Sequence, residues 1–313
     1  MAATREAHRL ARPRSARVWR KKAVGAPGRS LFLFAVPSLL VLSSVLVYPL
    51  GYALYLSLFD YYLASPDRTF IGLGNYTELL SESRFWWSML NTVIIAGTAV
   101  ATEFILGFAL ALCLFRLTWS PKTFMVLNFL PHIITPVVGA LFLRWIFVSR
   151  WGLLDATLAS LGIFPPDWLG DPWMAKVTVI VADAWKFTPF MMLVLYAGLQ
   201  SMDKNLLEAA VIDGASGWSM IWYIILPTLR PLILFVLAIR LMDAFRFFDS
   251  IYVLTGGGPG TATETITMYT YQLGFKLLEI GKASALGVLT LLFVSAMIGG
   301  IIFMLYRRER GAF

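Results

Sequence analysis

Six long and mostly apolar stretches dominate this chain of 313 residues. A helix needs about 20 mostly apolar residues to cross the hydrocarbon core of a bilayer, and lipid cannot satisfy an open backbone. The sequence therefore predicts an all-α membrane protein with six transmembrane helices. The stretches are 30–59, 85–115, 123–149, 177–202, 231–254 and 283–306. The first is longer than the roughly 7–15 apolar residues of a signal peptide, so we interpret it as a retained span.

The composition agrees with a membrane protein. Apolar residues make up 58% and charged residues 14% of the chain, against about 45–50% and about 25% in soluble domains. The formal net charge of +8 comes from the first 29 residues, which carry nine Lys and Arg side chains and one acid. A nucleic-acid-binding fold would carry its bases on a folded face. We interpret the tail as a disordered topogenic segment, with a lipid-surface anchor as the alternative.

The distribution of Lys and Arg between loops predicts that both termini are cytoplasmic. The cytoplasmic bases beyond the tail are Arg116, Lys122, Lys204, Arg230, Arg307, Arg308 and Arg310, and the outer ones are Arg68, Arg84, Arg150, Lys176, Lys276 and Lys282. With this orientation, the connection 203–230 lies on the cytoplasmic side.

That connection is not composed like a linker. Apolar residues at helical spacing predict a short amphipathic helix over 203–213, then a turn at Gly214. A second helix is expected from about Ser216 until Pro227 and Pro231 interrupt it. Taken on these residues alone, the hairpin either joins two spans at the membrane surface or binds a partner.

The same segment follows the pattern E-A-A-x3-G-x9-I-x-L-P, from Glu208 through Gly214 to Pro227. On this pattern the chain resembles the permease subunits of binding-protein-dependent ABC importers. The resemblance implies the type I importer permease fold, in which this loop forms a coupling helix that docks on a separate ATPase subunit. The residues it assigns to ATPase coupling are Glu208, Ala209, Ala210, Asp213, Gly214, Leu226 and Pro227.

Segments 70–76 (FIGLGNY), 254–260 (LTGGGPG) and 263–265 (TET) look like the carbohydrate-uptake branch, which contains the maltose-type and glycerol-phosphate-type permeases. The implied partners are a second homologous permease, two ATPase subunits, a periplasmic or lipid-anchored solute-binding protein and membrane lipid, without nucleic acid. ATP and Mg²⁺ are expected in the ATPase subunits, since this chain has no G-x4-G-K-[ST] loop. No cofactor, metal or catalytic residue is expected in this chain, which has a single cysteine and two histidines.

The resemblance also implies an organisation and a location. We expect a basic cytoplasmic tail (1–29), a first transmembrane helix with an outer loop (30–84), a five-helix permease core containing the coupling loop 203–230 (85–306), and a cytoplasmic C-terminus (307–313). The expected location is the bacterial cytoplasmic (inner) membrane.

Charged side chains inside spans cost at least about 2.5–3.5 kcal/mol each on insertion scales, so they face the protein interior or water. Two series at i, i+3 spacing are expected to pair internally, the first on span four and the second on span five. With two polar residues near the span-three prolines, they form a candidate substrate path of Asn128, His132, Asp183, Lys186, Arg240, Asp243, Arg246 and Asp249. The alternative is that these charges only fix the helix bundle. Phe245, Phe247 and Phe248 either stack on sugar faces or pack, and Glu103 has no assigned role.

The resulting hypothesis is a permease that imports a sugar or sugar-like solute, such as an oligosaccharide, a polyol or a sugar derivative. The runner-up is an ion-coupled secondary transporter that uses Asp183 or Asp243 as its ion site, which leaves the 203–227 pattern unexplained. An intramembrane enzyme is disfavoured because the spans contain a single histidine and no paired catalytic carboxylates.

Overall fold

A computed structural model describes residues 29–65, 67–117 and 120–309 of the chain. The predicted basic tail lies outside the described residues except for Arg29, as do residues 310–313 of the expected C-terminal segment. The Cα positions divide the chain into two compact units, Met1–Gly51 and Tyr52–Phe313. The site described below lies within the second unit.

The described residues are mostly helical. The helices are α1 (Arg29–Leu42), α2 (Tyr48–Leu56), α3 (Gly74–Ser81), α4 (Ser83–Arg116), α5 (Pro121–Ile133), α6 (Pro136–Phe147), α7 (Leu153–Ser160), α8 (Pro172–Gln200), α9 (Lys204–Ile212), α10 (Gly217–Met220), α11 (Leu226–Ala244), α12 (Asp249–Leu254), α13 (Ile266–Tyr271) and α14 (Ile280–Glu309). π-helical turns follow α1, α10 and α13, at Ser43–Val47, Ile221–Ile225 and Gln272–Lys276. Strands β1 (Phe59–Tyr61) and β2 (Arg68–Phe70) form an antiparallel hairpin in which Asp60 pairs with Thr69.

Five helical segments of the described chain are long and apolar enough to cross a membrane. They are Ala35–Leu56, Ser83–Arg116, Pro172–Gln200, Gly217–Ala244 and Ile280–Gly300. Helices α5 and α6 pass the same test together, but they are bent by 94° at a short break. Counted as one broken span, this pair completes the six predicted spans, so the all-α fold class is confirmed.

The third span is not one continuous helix, and its break lies at Pro136, one of the prolines that the sequence places within this span. Thr135 precedes Pro136, and a residue before proline is driven out of the helical region into extended backbone. Thr135 accordingly has a ψ of 143°, and α6 begins anew at Pro136. The proline therefore starts a helix with a different direction.

The bounds of the fifth span also differ from expectation. The helix begins at Gly217, passes Pro227 and Pro231 without interruption, and ends at Ala244 rather than near residue 254. A proline ring clashes with the carbonyl four residues earlier, which for Pro227 belongs to Tyr223. Tyr223 lies in the π-helical turn, whose wider spacing accommodates such a ring. One helix thus runs from the predicted coupling loop to the charged residues of the span.

Helices α4, α8 and α11 pack around a common apolar core. Gly107 permits the closest approach, since a Cβ atom at this position would lie 2.8 Å from the Cβ atom of Met191. Buried side chains from the three helices fill the core: Ala111, Leu114, Met191, Met192, Leu195, Leu199, Leu229, Ile233 and Val236. This packing fixes the three helices that carry the buried charges.

The segments that suggested the carbohydrate branch hold loop backbone in place. Asn75 donates hydrogen bonds from Nδ2 to the carbonyls of Ser57 and Phe59, both at 2.9 Å. Glu264, whose side chain is buried, accepts two hydrogen bonds from Arg84 at 2.9 and 2.7 Å. These two polar residues of the motifs therefore have structural contacts that explain their presence.

A second polar contact joins the start of α14 to the end of α3. Glu82 accepts hydrogen bonds from Lys282 and Tyr269, both at 2.5 Å. Burial alone would raise the pKa of this carboxyl, but the two hydrogen bonds outweigh it and hold the pKa of Glu82 below its ordinary value. Glu82 therefore stays ionised at neutral pH and keeps its contact with Lys282.

Candidate functional site

Arg240 of α11 is the centre of a charged cluster that joins three helices. Its Nε and Nη2 atoms donate to the two carboxylate oxygens of Glu103 on α4 at 2.7 and 2.9 Å. Nη2 also donates to Asp183 on α8 at 2.5 Å, and Nη1 donates to Asp243 at 3.3 Å. Arg240, Glu103 and Asp183 are at most 2% exposed, whereas the Asp243 side chain is 52% exposed.

The predicted pair of Arg240 and Asp243 is confirmed, but spacing along one helix did not reveal the other two partners. Glu103 and Asp183 lie on different helices, and helical periodicity carries no information about contacts between helices. The sequence did contain one indication of such a contact, the isolated acid Glu103. An acid in an apolar span needs a cation from elsewhere in the bundle. Glu103 thereby gains the role that the sequence left open.

Lys186 does not form its predicted pair with Asp183, because Asp183 is turned towards Arg240. The Lys186 ammonium instead donates to the carbonyl of Ile134, at the break between α5 and α6. A helix break frees carbonyls from the helical ladder, and a cation is a suitable partner for them. The break and α8 are thus linked by a charge-assisted hydrogen bond.

The two polar residues of α5, Asn128 and His132, are half-buried. His132 Nδ1 lies 3.2 Å from the carbonyl oxygen of Lys186, and its ring stacks on Phe190 with centroids 5.6 Å apart. Asn128 Nδ2 donates to the carbonyl of Phe124 at 3.0 Å, one turn earlier in the same helix. His132 thus contacts the backbone and a ring of α8, whereas Asn128 bonds within its own helix, and neither residue is among those that line the cavity described next.

A cavity of about 110 Å³ lies beside the Arg240 cluster. It is formed by the start of α6, by α8 and α11, and by the turn that leads into α12. Its lining residues are Pro136, Lys186, Phe187, Arg240, Asp243, Arg246, Phe247, Phe248, Asp249 and Ser250. Five of the eight candidate path residues therefore meet at one cavity, with Asp183 behind Arg240.

The end of α11 explains how residues predicted on one helix come to surround a cavity. Since α11 stops at Ala244, Arg246 lies in the turn and Asp249 starts α12. Arg246 and Asp249 were predicted to pair at i, i+3 spacing within a continuous helix. They instead occupy separate positions on the cavity wall. Arg246, Asp249 and Asp243 are all exposed and present charged groups to solvent in the cavity.

Aromatic rings complete the lining. Phe247 and Phe248 border the cavity, whereas Phe245 is buried and packs on Phe293 with ring centroids 5.7 Å apart. The guanidinium carbon of Arg240 lies 3.7 Å from the ring centroid of Phe187, a cation–π geometry. Within the residues that the structure describes, no three His, Cys, Asp or Glu side chains are placed to hold a metal ion.

The predicted coupling segment folds as helix α9 followed by a tight turn. The Asp203 carboxylate accepts from the backbone N–H of Asn205 at 2.9 Å and caps the start of the helix. At the other end, the N–H of Ala215 bonds to the carbonyl of Ala210, and Gly214 has a φ of +80°. This is the Schellman arrangement, which favours glycine at the left-handed position.

The coupling residues divide between the surface and the interior of the chain. Glu208, Ala209, Asp213 and Gly214 are exposed on α9 and its turn, whereas Ala210 is buried. Leu226 and Pro227 lie in the helix that follows, half-buried and exposed respectively. Ile212, the last residue of α9, is 85% exposed. The surface of α9 therefore combines charged and large apolar groups.

The comparison with known protein families decides the identity of this fold. The family model described as "Binding-protein-dependent transport system inner membrane component" matches residues 103–310, about two-thirds of the chain. The chain belongs to this family. The predicted family and inner-membrane location are thereby confirmed, and the permease is a transport subunit rather than an enzyme.

Curated relatives of this permease carry the names of sugar transport proteins. It is 36% identical to the trehalose/maltose transport system permease protein MalF of Thermococcus litoralis, over 84% of this chain and 89% of that protein. It is 39% identical to the trehalose transport system permease protein SugA of Mycobacterium tuberculosis, over 84% of each chain. These relatives confirm the resemblance to carbohydrate-type permeases.

A solved transporter shares the fold. A chain in the crystal structure of a bacterial alginate ABC transporter, in complex with an alginate pentasaccharide-bound periplasmic protein, superposes with a TM-score of 0.77. The sequence identity is 25%, and the match covers 89% of this permease and 94% of that chain. The importer permease fold expected from the sequence is therefore confirmed.

Proposed function

We propose that this permease moves a sugar or sugar-like solute inward through the cavity beside Arg240. The cavity carries the proposal, because it combines cations, carboxylates and aromatic rings on one small surface. Sugar hydroxyls both donate and accept hydrogen bonds, and sugar rings have apolar faces that stack on aromatic side chains. The names of the relatives, with trehalose and maltose among them, point to the same class of solute.

Within this cavity the charged residues have different tasks. Arg240 is held from behind by Glu103 and Asp183, so it forms a fixed wall. Asp243, Arg246 and Asp249 remain exposed and offer acceptors and donors that a passing solute can use in place of water. Hydrogen bonds from the fixed Arg240 and from these three exposed residues thus guide the solute together.

Import is driven by two separate ATPase subunits that bind ATP and Mg²⁺ and dock on α9. The proposed contact residues are the exposed ones of the pattern, which are Glu208, Ala209, Asp213, Gly214 and Pro227. One helix runs from Gly217, just after the coupling turn, to Asp243 at the cavity, a length of roughly 40 Å at about 1.5 Å per residue. A displacement of α9 therefore has a direct mechanical route to the cavity wall.

The complete importer contains a second homologous permease and a periplasmic or lipid-anchored binding protein. Both termini of this permease are cytoplasmic, in agreement with its Lys and Arg distribution, and α9 then faces the ATPases. We also propose that the chain is organised as its sequence predicts. A basic tail (1–29) precedes a first span with its outer loop (30–84), a five-helix core (85–306) and a C-terminal segment (307–313). The ion-coupled alternative lacks support, because it leaves the 203–227 pattern unexplained and the matching family is one of binding-protein-dependent transport.

Asp243→Asn and Arg246→Gln test the path. Each variant loses a charged partner for the solute, worth about 1.5–3 kcal/mol, so uptake should fall by about tenfold or more. The measurement is uptake of a labelled sugar by proteoliposomes that contain the complete importer and its binding protein. Asp60→Asn, at an exposed position of the β1–β2 hairpin, is the matched control and should transport normally. Normal uptake by both cavity variants would show that solute does not pass this surface.

A further inference from the structure

The segment between α6 and α8 is held in place by one buried acid, Asp155. Asp155 is buried, and its carboxylate accepts from the Arg150 backbone N–H at 2.6 Å and from Trp168 Nε1 at 2.9 Å. Trp168 also packs on Phe147 at the end of α6, with ring centroids 5.7 Å apart. These contacts fold the segment back on α6 and give it a defined shape.

The exterior of the same segment is mostly apolar, with exposed Thr157 and Ser160 within it and exposed Arg150 and Asp167 at its two ends. Phe164 is 97% exposed and Trp151 is 89% exposed. Leu153, Leu161 and Ile163 between them are also exposed. From 151 to 166, Asp155 is the single charged residue, and it is buried. An exposed apolar surface of this kind marks a contact with a partner or with lipid.

The position of the segment favours lipid as that partner. It connects α6 and α8, both of which belong to membrane-crossing segments, and it continues the exposed apolar surface of α6, where Trp145 is 80% exposed. Aromatic residues concentrate at the boundary between headgroups and acyl chains, and short elements with one apolar side lie in that plane.

We propose that residues 151–166, which include α7, form a lipid-binding surface that inserts Trp151 and Phe164 into the interfacial layer of the bilayer. This anchor bears on the cavity, because the third span is broken and its second half, α6, begins at the cavity. Pro136 at the start of α6 lines the cavity, and the Ile134 carbonyl before it holds Lys186. An anchor at the far end of α6 fixes this half-span at a constant depth while other helices move.

Site-directed spin labelling tests the proposal in the complete importer. Cys113 is the single cysteine of this chain, so Cys113→Ser, assembled with cysteine-free partner subunits, provides a background in which Phe164→Cys or Trp151→Cys carries one nitroxide. In proteoliposomes, we expect both labels to collide readily with oxygen and to have several-fold lower access to a water-soluble nickel reagent than a label at Ser81→Cys. Ser81 is an exposed residue at the end of α3, beside Glu78 and Glu82. Leu161→Cys gives a third position on the apolar surface if an aromatic replacement impairs folding.

Two results would overturn the proposal. One is nickel access at positions 151, 161 and 164 equal to that at position 81 in the reconstituted importer. The other is shielding that appears only after the solute-binding protein is added, which would assign the surface to that protein. Neither measurement depends on which solute is transported, so the lipid surface is tested independently of the proposed function.

Discussion

Replacing Arg240 with methionine should abolish uptake and destabilise the permease. The substitution leaves Glu103 and Asp183 buried without their cation, and breaking a buried pair by removing one partner costs about 3–5 kcal/mol. Glu103 and Asp183 lie on α4 and α8, so the loss separates the two helices that also form the apolar core with α11. We expect a much lower yield of monodisperse protein in detergent and a large drop in the temperature of unfolding.

Two further variants separate the loss of the charged cluster from the loss of an ordinary arginine contact. Arg144→Met is the matched control, because Arg144 lies in α6, is exposed, and donates to one backbone carbonyl, that of Val253, at 2.9 Å. Its expected cost is about 1 kcal/mol, the net contribution of an ordinary hydrogen bond. Arg240→Lys should be intermediate, since one ammonium cannot reproduce the two-pronged contact with Glu103. Equal stability of Arg240→Met and Arg144→Met would contradict the assigned role of the cluster.

Changes in the coupling turn should abolish uptake while the permease still inserts into the membrane. Gly214 has a φ of +80°, and a side chain at such a position costs roughly 1–2 kcal/mol in this backbone region. Gly214→Asp therefore places a side chain in the left-handed region and adds a negative charge at the C-terminal end of α9, where the helix dipole disfavours it. Glu208→Lys reverses a charge on the exposed surface of α9. Both variants should be present in the membrane at normal levels, because neither position belongs to the packed core.

The measurements are sugar uptake and co-purification of the ATPase subunits with each variant. Gly214→Asn should retain much of the activity, since asparagine tolerates the left-handed conformation better than other residues with a side chain. A charge reversal at an exposed acid outside the loop, Asp60→Lys, should leave uptake and association unchanged. Normal ATPase association together with normal uptake in Gly214→Asp and Glu208→Lys would remove the coupling role from α9.

Features that depend on neighbours along the chain were predictable from the sequence. The spans follow from the length of apolar runs, and the turn after α9 follows from Gly214 at the end of an amphipathic helix. The pair of Arg240 and Asp243 follows from their i, i+3 spacing. In each case the contacting groups are separated by a few residues, so helical geometry alone determines where they lie.

Features that depend on packing between helices were not predictable in the same way. The contact of Arg240 with Glu103 joins residues 137 positions apart, and the contact of Lys186 with the Ile134 carbonyl depends on a helix break. The end of α11 at Ala244 has no proline or glycine to announce it, since residues 245–248 are Phe-Arg-Phe-Phe. The cavity is a consequence of these three features together.

The energy source of transport tests the central claim most directly. The measurement is uptake of a labelled sugar by proteoliposomes that contain the complete importer, with ATP and Mg²⁺ supplied on the ATPase side and the binding protein on the other. The account predicts uptake that needs both ATP and the binding protein, and that persists when ionophores collapse the ion gradients. Uptake that continues without ATP and stops when the ion gradients collapse would contradict it.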